Sequence, residues 1–296
     1  MAQSAQRLGH LLDRSIQTAW HYRGLWLLGI FAGYGMNFNL KAPSGEPIAG
    51  TVGPLTTSLP FPSVWSVVYL LALFFLCYTI AVPALVSAIS SLNRTGSYRF
   101  GESLLIGVDV FFPILGLSLT GVVLLMLPAT VLAALAGLLF AISTILGVVS
   151  LIVIVPAGLL LIFLYASLVN LSIRDITIRR ARLLDSLQTS WRFVRRHTRR
   201  TFGVFLISVG FVAAAFVALR FCFHLVQLVA SLFSAEAGES LPTLYAVLFG
   251  LPFSIIVGGF FGVCAEGLYT FFYLSVEEPS RDDIWATTGA RDKHKD

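Results

Sequence analysis

Charged residues are scarce in this chain of 296 residues, since aspartate, glutamate, lysine and arginine together make up 12% of it. Soluble globular domains carry about 25% charged residues. Hydrophobic residues make up 57% of the chain, and its mean hydropathy is +0.85. These values exclude an ordinary soluble domain. They predict an all-α integral membrane protein that crosses the bilayer several times.

Cysteine is also scarce, and the common catalytic motifs are missing. Cys77, Cys222 and Cys264 lie inside apolar runs without CxxC spacing, so neither a disulfide framework nor a zinc site is predicted. The sequence contains no GxSxG, no HExxH and no phosphate-binding glycine loop. We therefore predict no enzyme activity, cofactor or metal. Polar residues interrupt the N-terminal segment at every turn up to Arg23, so no cleaved signal peptide is expected.

The positive charge gathers between two long apolar halves. The stretch from Arg174 to Arg200 holds nine of the 20 lysines and arginines, against only Asp175 and Asp185. Basic segments between membrane spans stay on the cytoplasmic side. This stretch therefore sets the predicted orientation, in which both termini are cytoplasmic and the protein lies in a plasma (inner) membrane of bacterial type.

Apolar patterning predicts one amphipathic helix, at residues 5–22, that lies in the membrane interface. Six membrane spans follow, at about residues 24–40, 63–92, 103–128, 145–170, 202–228 and 251–276. Residues 128–143 are expected to be a re-entrant or interfacial segment on the outer side, because the number of crossings between two basic flanks must be even. Outer loops are predicted at residues 41–62 and near Glu236 and Glu239. Residues 1–276 then form one membrane domain, and residues 277–296 form a charged, disordered cytoplasmic tail.

The centre of the chain resembles its own N-terminus. Residues 11–23, LLDRSIQTAWHYR, align with residues 183–195, LLDSLQTSWRFVR, with one gap. The apolar stripe of the second copy consists of Leu183, Leu184, Leu187, Trp191 and Val194. With a degenerate middle copy at residues 94–104, the pattern predicts three parallel units of an interfacial helix and two spans, at about residues 1–93, 94–175 and 176–276. The alternative is chance similarity between two amphipathic helices.

Two stretches carry a resemblance to a known family. AWHYRGLWLLGIFAG at residues 19–33 and RDITIRRARLLDSLQTSWRFVRRHTRRTFGVFLI at residues 174–207 resemble the bacterial six-span proteins grouped with the membrane domain of glycerophosphoryl diester phosphodiesterases. The resemblance covers about residues 5–275 and implies an integral membrane protein. It does not imply hydrolysis, because in that group the membrane domain accompanies a separate soluble catalytic barrel for which this chain has no room.

Ionisable side chains inside the predicted spans are candidates for a functional site, because they are costly within a bilayer. The candidates are Asp109, Arg220, His224 and Glu266. Arg220, His224 and Gln227 share one stripe of the fifth span, where they line a polar path or bind an anionic group. The alternative is that Arg220 extends to outer headgroups while a neighbouring helix satisfies His224. Asp109 and Glu266 are expected near the cytoplasmic side, where they can meet each other or an arginine of the central stretch, but not Arg220.

The second candidate site is a basic surface formed by Arg192, Arg195, Arg196, Arg199 and Arg200. A lipid surface satisfies both the arginines and the apolar stripe of this helix, whereas a nucleic acid satisfies only the arginines. The leading hypothesis is a non-enzymatic multi-pass membrane protein whose basic surface engages anionic lipid or a protein partner, including a second copy of the chain. The alternatives are a transporter or permease subunit and, third, a lipid-modifying enzyme.

Overall fold

The computed structural model describes residues 2–34, 64–233 and 251–277. These residues are almost entirely helical, and none of them lies in a β-strand. The elements are α1 (Ala2–His21), a 3-10 turn (Arg23–Leu25), α2 (Trp26–Gly29), a π-helical turn (Ile30–Tyr34), α3 (Val64–Thr95), α4 (Phe100–Asp109), α5 (Phe111–Ile142), α6 (Thr144–Arg179), α7 (Leu183–Arg196), α8 (Thr198–Phe233) and α9 (Leu251–Glu277).

Five helices within these ranges contain segments that are long and apolar enough to cross a membrane. The segments are Phe75–Thr95, Phe111–Ile142, Thr144–Arg179, Thr198–Cys222 and Ile256–Glu277, and a shorter apolar helical segment covers Arg23–Ala32. A helix rises about 1.5 Å per residue, so about 20 residues cross a hydrocarbon core of about 30 Å. The predicted helical class is therefore confirmed.

Residues 128–143 do not form the re-entrant or interfacial segment that we expected from the sequence. α5 continues through Pro128 to Ile142, the chain turns at Ser143 in an extended conformation, and α6 follows at once. A proline removes only one helical hydrogen bond, whereas an unwound segment in hydrocarbon leaves many backbone groups unpaired. α5 and α6 therefore form one long helical hairpin, in which Gly121 packs against Tyr165 and Val169.

The boundaries of the third and fourth predicted spans are also wrong. α4 is a separate short helix that ends at Asp109, and α5 begins after a break at Val110. The predicted middle copy at residues 94–104 thus covers only the first half of α4. α6 continues past residue 170 to Arg179, so the first arginines of the central stretch belong to a long helix.

Three short helices, α1, α4 and α7, pack against α9, α3 and α6 respectively. Each contributes two small buried residues four positions apart, which lie on one face of the helix. The pairs are Ser15 and Ala19 in α1, Ser103 and Gly107 in α4, and Ser186 and Ser190 in α7. Small side chains allow two helix backbones to approach closely.

Two direct hydrogen bonds strengthen this packing. The Ser15 hydroxyl donates to the carbonyl of Cys264 on α9 at 2.8 Å, and the hydroxyls of Ser172 on α6 and Ser190 on α7 lie 3.0 Å apart. In α4 a glycine allows the close approach, because a Cβ added to Gly107 would overlap the carbonyl oxygen of Ile80 on α3. The short helices are therefore held by close backbone contact as well as by apolar burial.

The apolar core lies where α3, the end of α6 and α9 meet. Its buried members include Val82, Leu85 and Ile89 of α3, Ile173 and Ile176 of α6, and Val263 of α9. The α5–α6 hairpin beyond Gly121 is different, since Leu127, Ile142, Ile145 and Ile152 are 66 to 76% exposed. Exposed apolar surface of this extent suits a lipid environment.

Several predictions lie outside the described residues. They are the outer loop at residues 41–62, the loop near Glu236 and Glu239, the end of the first span after Tyr34, and the tail after Glu277. Glu277 itself, which we assigned to a disordered tail, is the last residue of α9.

We predict that Gly107→Ala destabilises the protein, because the added methyl group forces α4 away from α3. Overpacking of this kind costs about 1–3 kcal/mol. The matched control is Gly101→Ala in the same helix, where an added Cβ meets nothing within 4 Å. The thermal unfolding midpoint in detergent is expected to fall for Gly107→Ala and to stay level or rise for Gly101→Ala. Equal midpoints for the two variants would contradict the close packing of α4.

Candidate functional site

The four predicted intramembrane residues do not form one site. Asp109 pairs with Arg180 in the α6–α7 connection, and both side chains are largely exposed. Glu266 pairs instead with Arg174. On α8, Arg220 is exposed and its guanidinium lies 5.3 Å from the ring centroid of Phe216. His224, one turn further, is exposed as well.

The pair between Arg174 and Glu266 is the most buried ionic contact among the described residues, with side-chain exposures of 0% and 4%. Arg174 Nη2 donates to Glu266 Oε2 and, at 3.1 Å, to the Glu266 carbonyl oxygen. Arg174 Nη1 donates to the carbonyl oxygen of Asn170 at 2.5 Å and to its Oδ1 at 3.0 Å. The guanidinium also lies 5.2 Å from the ring centroid of Tyr269. One arginine thus joins two turns of α6 to two turns of α9.

The register between α8 and α9 gives the depth of this pair. Phe211 contacts Phe261, and Leu219 clusters with Val257. The two helices therefore run antiparallel, so a residue further along α9 faces a residue earlier in α8. Glu266 therefore lies opposite about residue 206, about 9 Å further into the bundle than Arg200. A charge at such a depth needs a partner, because an unpaired one would lose its hydration without compensation.

A second group of polar contacts continues toward the helix ends. Asp175 is buried and accepts a hydrogen bond from the Tyr273 hydroxyl at 2.8 Å. Arg179 lies 3.8 Å from Asp175 and pairs with Glu277 at the end of α9. We call the whole set the α6–α9 seam. It consists of Asn170, Arg174, Asp175 and Arg179 on α6 and of Glu266, Tyr269, Tyr273 and Glu277 on α9.

Sequence reasoning missed Arg174 as a site residue, because it stands at the head of the basic stretch as one of nine arginines. Two signals pointed to it. Asn170 precedes Arg174 by four residues and therefore shares its helix face, and Glu266 in an apolar span requires a cation. Neither signal reveals which of the nine arginines forms the ion pair with Glu266, since that depends on how α6 and α9 align.

The predicted basic surface lies at the α7–α8 corner and is open. Its members are Arg192, Arg195, Arg196, Arg199 and Arg200, which are all exposed and form no ion pair with another described residue. Leu184 and Trp191, seven positions apart on α7, are exposed beside them. The predicted apolar stripe is divided, however. Val194 is buried inside the protein, and Leu183 and Leu187 are half-buried against the core.

His197 stands at the corner between α7 and α8, with its ring 5.3 Å from the ring of Phe193. Burial lowers the pKa of His197 from its ordinary value, and the positive charges of Arg200 and Arg196 lower it further, against a smaller opposite effect of Glu277. These effects favour the neutral imidazole over the protonated one. Its protonation would add a positive charge where positive charge is already dense.

No group of three or more histidine, cysteine, aspartate or glutamate side chains in the described ranges could hold a metal ion. No protein-family model, curated protein or solved structure matches this chain. The resemblance to the phosphodiesterase membrane domain therefore stays a prediction from the sequence.

We predict that replacing either partner of the buried pair alone is strongly destabilising. Arg174→Met or Glu266→Met leaves one charge buried without its partner, which costs about 3–5 kcal/mol. The double variant removes both charges, so it is expected to be clearly more stable than the sum of the two single losses implies. Thermal unfolding in detergent measures all three variants.

The exposed pair provides the control for this cycle. Asp109→Asn breaks the contact with Arg180 at the surface, where an ion pair contributes about 0–1 kcal/mol. If the effects of Arg174→Met and Glu266→Met simply add, the two side chains do not interact and the seam is wrongly described.

We predict that acid weakens the α7–α8 corner through His197. Because the pKa of His197 is lowered in the folded state, the unfolded state binds the proton more readily, and stability falls as the pH drops below about 6.5. The unfolding midpoint of His197→Gln is expected to fall less between about pH 8 and pH 5.5 than that of the unmodified protein. The control is His10→Gln at an exposed histidine of α1. If it reduces the acid sensitivity equally, His197 is not the cause.

Proposed function

We propose that this protein is a non-enzymatic integral membrane protein whose basic end engages the anionic lipid surface of a bacterial plasma membrane. The observation that carries the proposal is the exposed face of α7, where Trp191 and Leu184 stand beside five arginines without a described ionic partner. Aromatic rings and arginines together suit the headgroup region, because the rings enter the acyl boundary while the charges meet phosphates.

The positions of two arginines on α8 support a membrane-spanning orientation of this helix. Arg200 and Arg220 are 20 residues apart, which corresponds to about 30 Å along a helix and to the thickness of the hydrocarbon core. Arg220 then extends to the headgroups of one leaflet, and Arg200 to those of the other. We propose that the basic end is cytoplasmic, with both termini on that side and six spans in all.

The short helices support three repeated units, with α4 as the middle copy in place of residues 94–104. In each copy a serine is followed four residues later by a second small residue, and both are buried. The residue after the second small one is large and exposed in every copy, namely Trp20, Val108 and Trp191, with 47 to 60% exposure. Chance similarity of amphipathic helices explains the spacing of apolar residues but not this shared pattern of burial.

Further contacts join each of the three units to the next one along the chain. Tyr22, after α1, packs on Tyr98 in the connection that precedes α4. Asp109, at the end of α4, pairs with Arg180 in the connection that precedes α7. Phe193, at the end of α7, stacks on Tyr273 of α9, and α9 supports α1. Each unit thus touches the next in a closed ring, as expected for parallel repeats around an axis normal to the membrane.

A transporter or permease subunit is the second candidate, and a different observation favours it. Arg174 and Glu266 are ionisable, buried and about 9 Å inside the level of Arg200. Ionisable residues at such positions often mark ion or proton pathways. Asp109, Arg220 and His224 support it less, because they lie apart from this pair.

We predict that anionic lipid stabilises the protein through the corner arginines. Phosphatidylglycerol should raise the thermal unfolding midpoint of the purified protein more than phosphatidylcholine does. The variant with Arg195, Arg196, Arg199 and Arg200 changed to Gln should lose most of this difference. Each arginine near the surface contributes about 1 kcal/mol to binding of anionic lipid. The ratio of the affinity for phosphatidylglycerol to that for phosphatidylcholine should therefore fall at least about tenfold.

The matched control changes the same four arginines to Lys and so retains the charge. A lipid surface recognises mainly charge, so the Lys variant should keep its preference. A protein partner that binds arginine through paired hydrogen bonds would reject lysine. If the Gln variant keeps its full preference for phosphatidylglycerol, the lipid proposal is wrong.

A further inference from the structure

The α5–α6 hairpin is longer than a bilayer is thick. α5 runs from Phe111 to Ile142 without a charged residue, and α6 carries no charged residue from Thr144 to Ile173. At about 1.5 Å per residue, these apolar runs measure about 48 and 45 Å. The hydrocarbon core of a bilayer is about 30 Å thick. If the hairpin stood upright, its outer end would therefore project about 15–18 Å beyond the hydrocarbon.

The outer part of the hairpin, residues 122–162, has the properties of a surface in hydrocarbon. Its only buried residue is Gly147, which lies against Phe140 of the hairpin itself. Most of its large apolar side chains are exposed. The hydroxyls of Thr130 and Ser150 each donate to a backbone carbonyl of their own helix, at 2.8 and 2.7 Å, so neither needs water. An apolar surface of this extent is unfavourable in water.

Contacts at the base of the hairpin show that α6 crosses the bundle obliquely. Phe163 stands eleven residues before Arg174, which is about 16 Å along α6. Its ring nevertheless packs edge-on against Phe202 and Phe205 at the start of α8, with ring centroids 5.2 and 5.3 Å away. Those two rings lie no further from the basic end than Glu266, the partner of Arg174. α6 therefore gains little height over this length and crosses α8 at a wide angle.

Two prolines face each other within the hairpin. Gly121 of α5 faces Tyr165 of α6, and Gly147 lies against Phe140 near the turn, so the two helices are antiparallel and in step along their length. Pro128 and Pro156 therefore lie within one helical turn of the same height, about 20 Å from the turn at Ser143. Each proline removes one backbone hydrogen bond, and helices bend most readily at such points.

We propose that the α5–α6 hairpin is an oblique arm whose partner is the acyl chains of the bilayer. Inclined by about 50° to the membrane normal, apolar runs of about 45–48 Å fit a hydrocarbon core of about 30 Å. The turn at Ser143 then lies at the outer boundary of the hydrocarbon. The arm changes its angle when the thickness of the bilayer changes, and the paired prolines allow this movement.

This inference rests on the proposed membrane-spanning orientation of α8, but not on the lipid preference of the corner arginines. A membrane protein whose apolar length differs from the thickness of the local bilayer pays a free-energy cost and is sorted among membranes accordingly. An arm of adjustable angle lowers that cost. The protein can then occupy bilayers of different thickness while the helices around the Arg174–Glu266 pair keep their arrangement.

The depth of spin labels in a bilayer tests the position of the arm. A protein without its native cysteines (Cys77→Ser, Cys222→Ser, Cys264→Ala) receives one new cysteine at a time, either Ser143→Cys at the turn or Ile152→Cys at an exposed position of the arm. Each is labelled with a nitroxide in dioleoylphosphatidylcholine vesicles. Oxygen concentrates in hydrocarbon and a polar nickel chelate in water. The ratio of their collision rates with the label therefore reports its depth.

We expect the oxygen-to-nickel ratio at Ile152→Cys to be at least about tenfold above that at Arg182→Cys, because hydrocarbon excludes a polar complex. Arg182 lies at the exposed basic end. Ser143→Cys should give an intermediate ratio, as expected at the hydrocarbon boundary. The matched control is Val212→Cys, exposed on α8 about 18 Å from Arg200, which should lie near the bilayer centre. The thermal unfolding midpoint checks that each variant is folded.

A thinner bilayer tests the movement of the arm. In dimyristoleoylphosphatidylcholine the ratio at Ser143→Cys should stay within about twofold of its value in the thicker bilayer, because the arm inclines further. Pro128→Ala combined with Pro156→Ala restores both helical hydrogen bonds and stiffens the arm. In that variant the turn should emerge from the thin bilayer, and the ratio at Ser143→Cys should fall toward that of Arg182→Cys.

The other outcomes overturn the proposal. If Val212→Cys lies in hydrocarbon but Ile152→Cys meets the nickel chelate, the hairpin stands upright, although the orientation of α8 is correct. If Val212→Cys meets the chelate, the orientation of α8 is wrong and the proposal fails with it. Shielding of Ile152→Cys from both reagents means that a second copy or another protein covers the arm. An equal fall at Ser143→Cys with and without the prolines means that the angle of the arm is fixed.

Discussion

The buried contact between Arg174 and Glu266 is the constraint on which the arrangement of the helices depends. The two residues are far apart in the chain and lie on different long helices, and neither charge is tolerable alone at that depth. Their pairing therefore sets the height of α6 relative to α9. Once that height is set, Asp175 lies beside Tyr273 and Arg179 beside Glu277. Because α7 follows directly from α6, the same pairing also positions the basic corner.

Close packing of small residues also holds the helices together. Between helices in lipid the hydrophobic effect offers little, since lipid tails are as apolar as the side chains, and close packing must replace it. The serine, alanine and glycine pairs of the short helices serve this purpose, and so do Gly29 of α2 and Gly259 and Gly262 of α9, whose backbones touch. Beyond Gly121 the outer length of the α5–α6 hairpin is largely exposed, and its apolar surface suits lipid.

Long apolar runs made the helical class and most spans predictable from the sequence, because hydrocarbon leaves the backbone little choice except a helix. The errors came where local chemistry was ambiguous. The even number of crossings predicted a re-entrant or interfacial segment at residues 128–143 that α5 does not have, while the chain does break at Val110, just before Pro113 in the first turn of α5. The exposed arginines of the α7–α8 corner were predictable from their number and periodicity, whereas the burial of Arg174 was not.

The sequence by itself determined that the chain is helical and apolar, that its positive charge gathers between two apolar halves, and that its N-terminus and centre share a motif. Composition and periodicity carry that information locally. Tertiary structure alone decided that Arg174, one arginine of nine, pairs with Glu266, and that α4 packs like α1 and α7. The reason is that each of these depends on the relative height and rotation of helices distant in sequence, which no local pattern encodes.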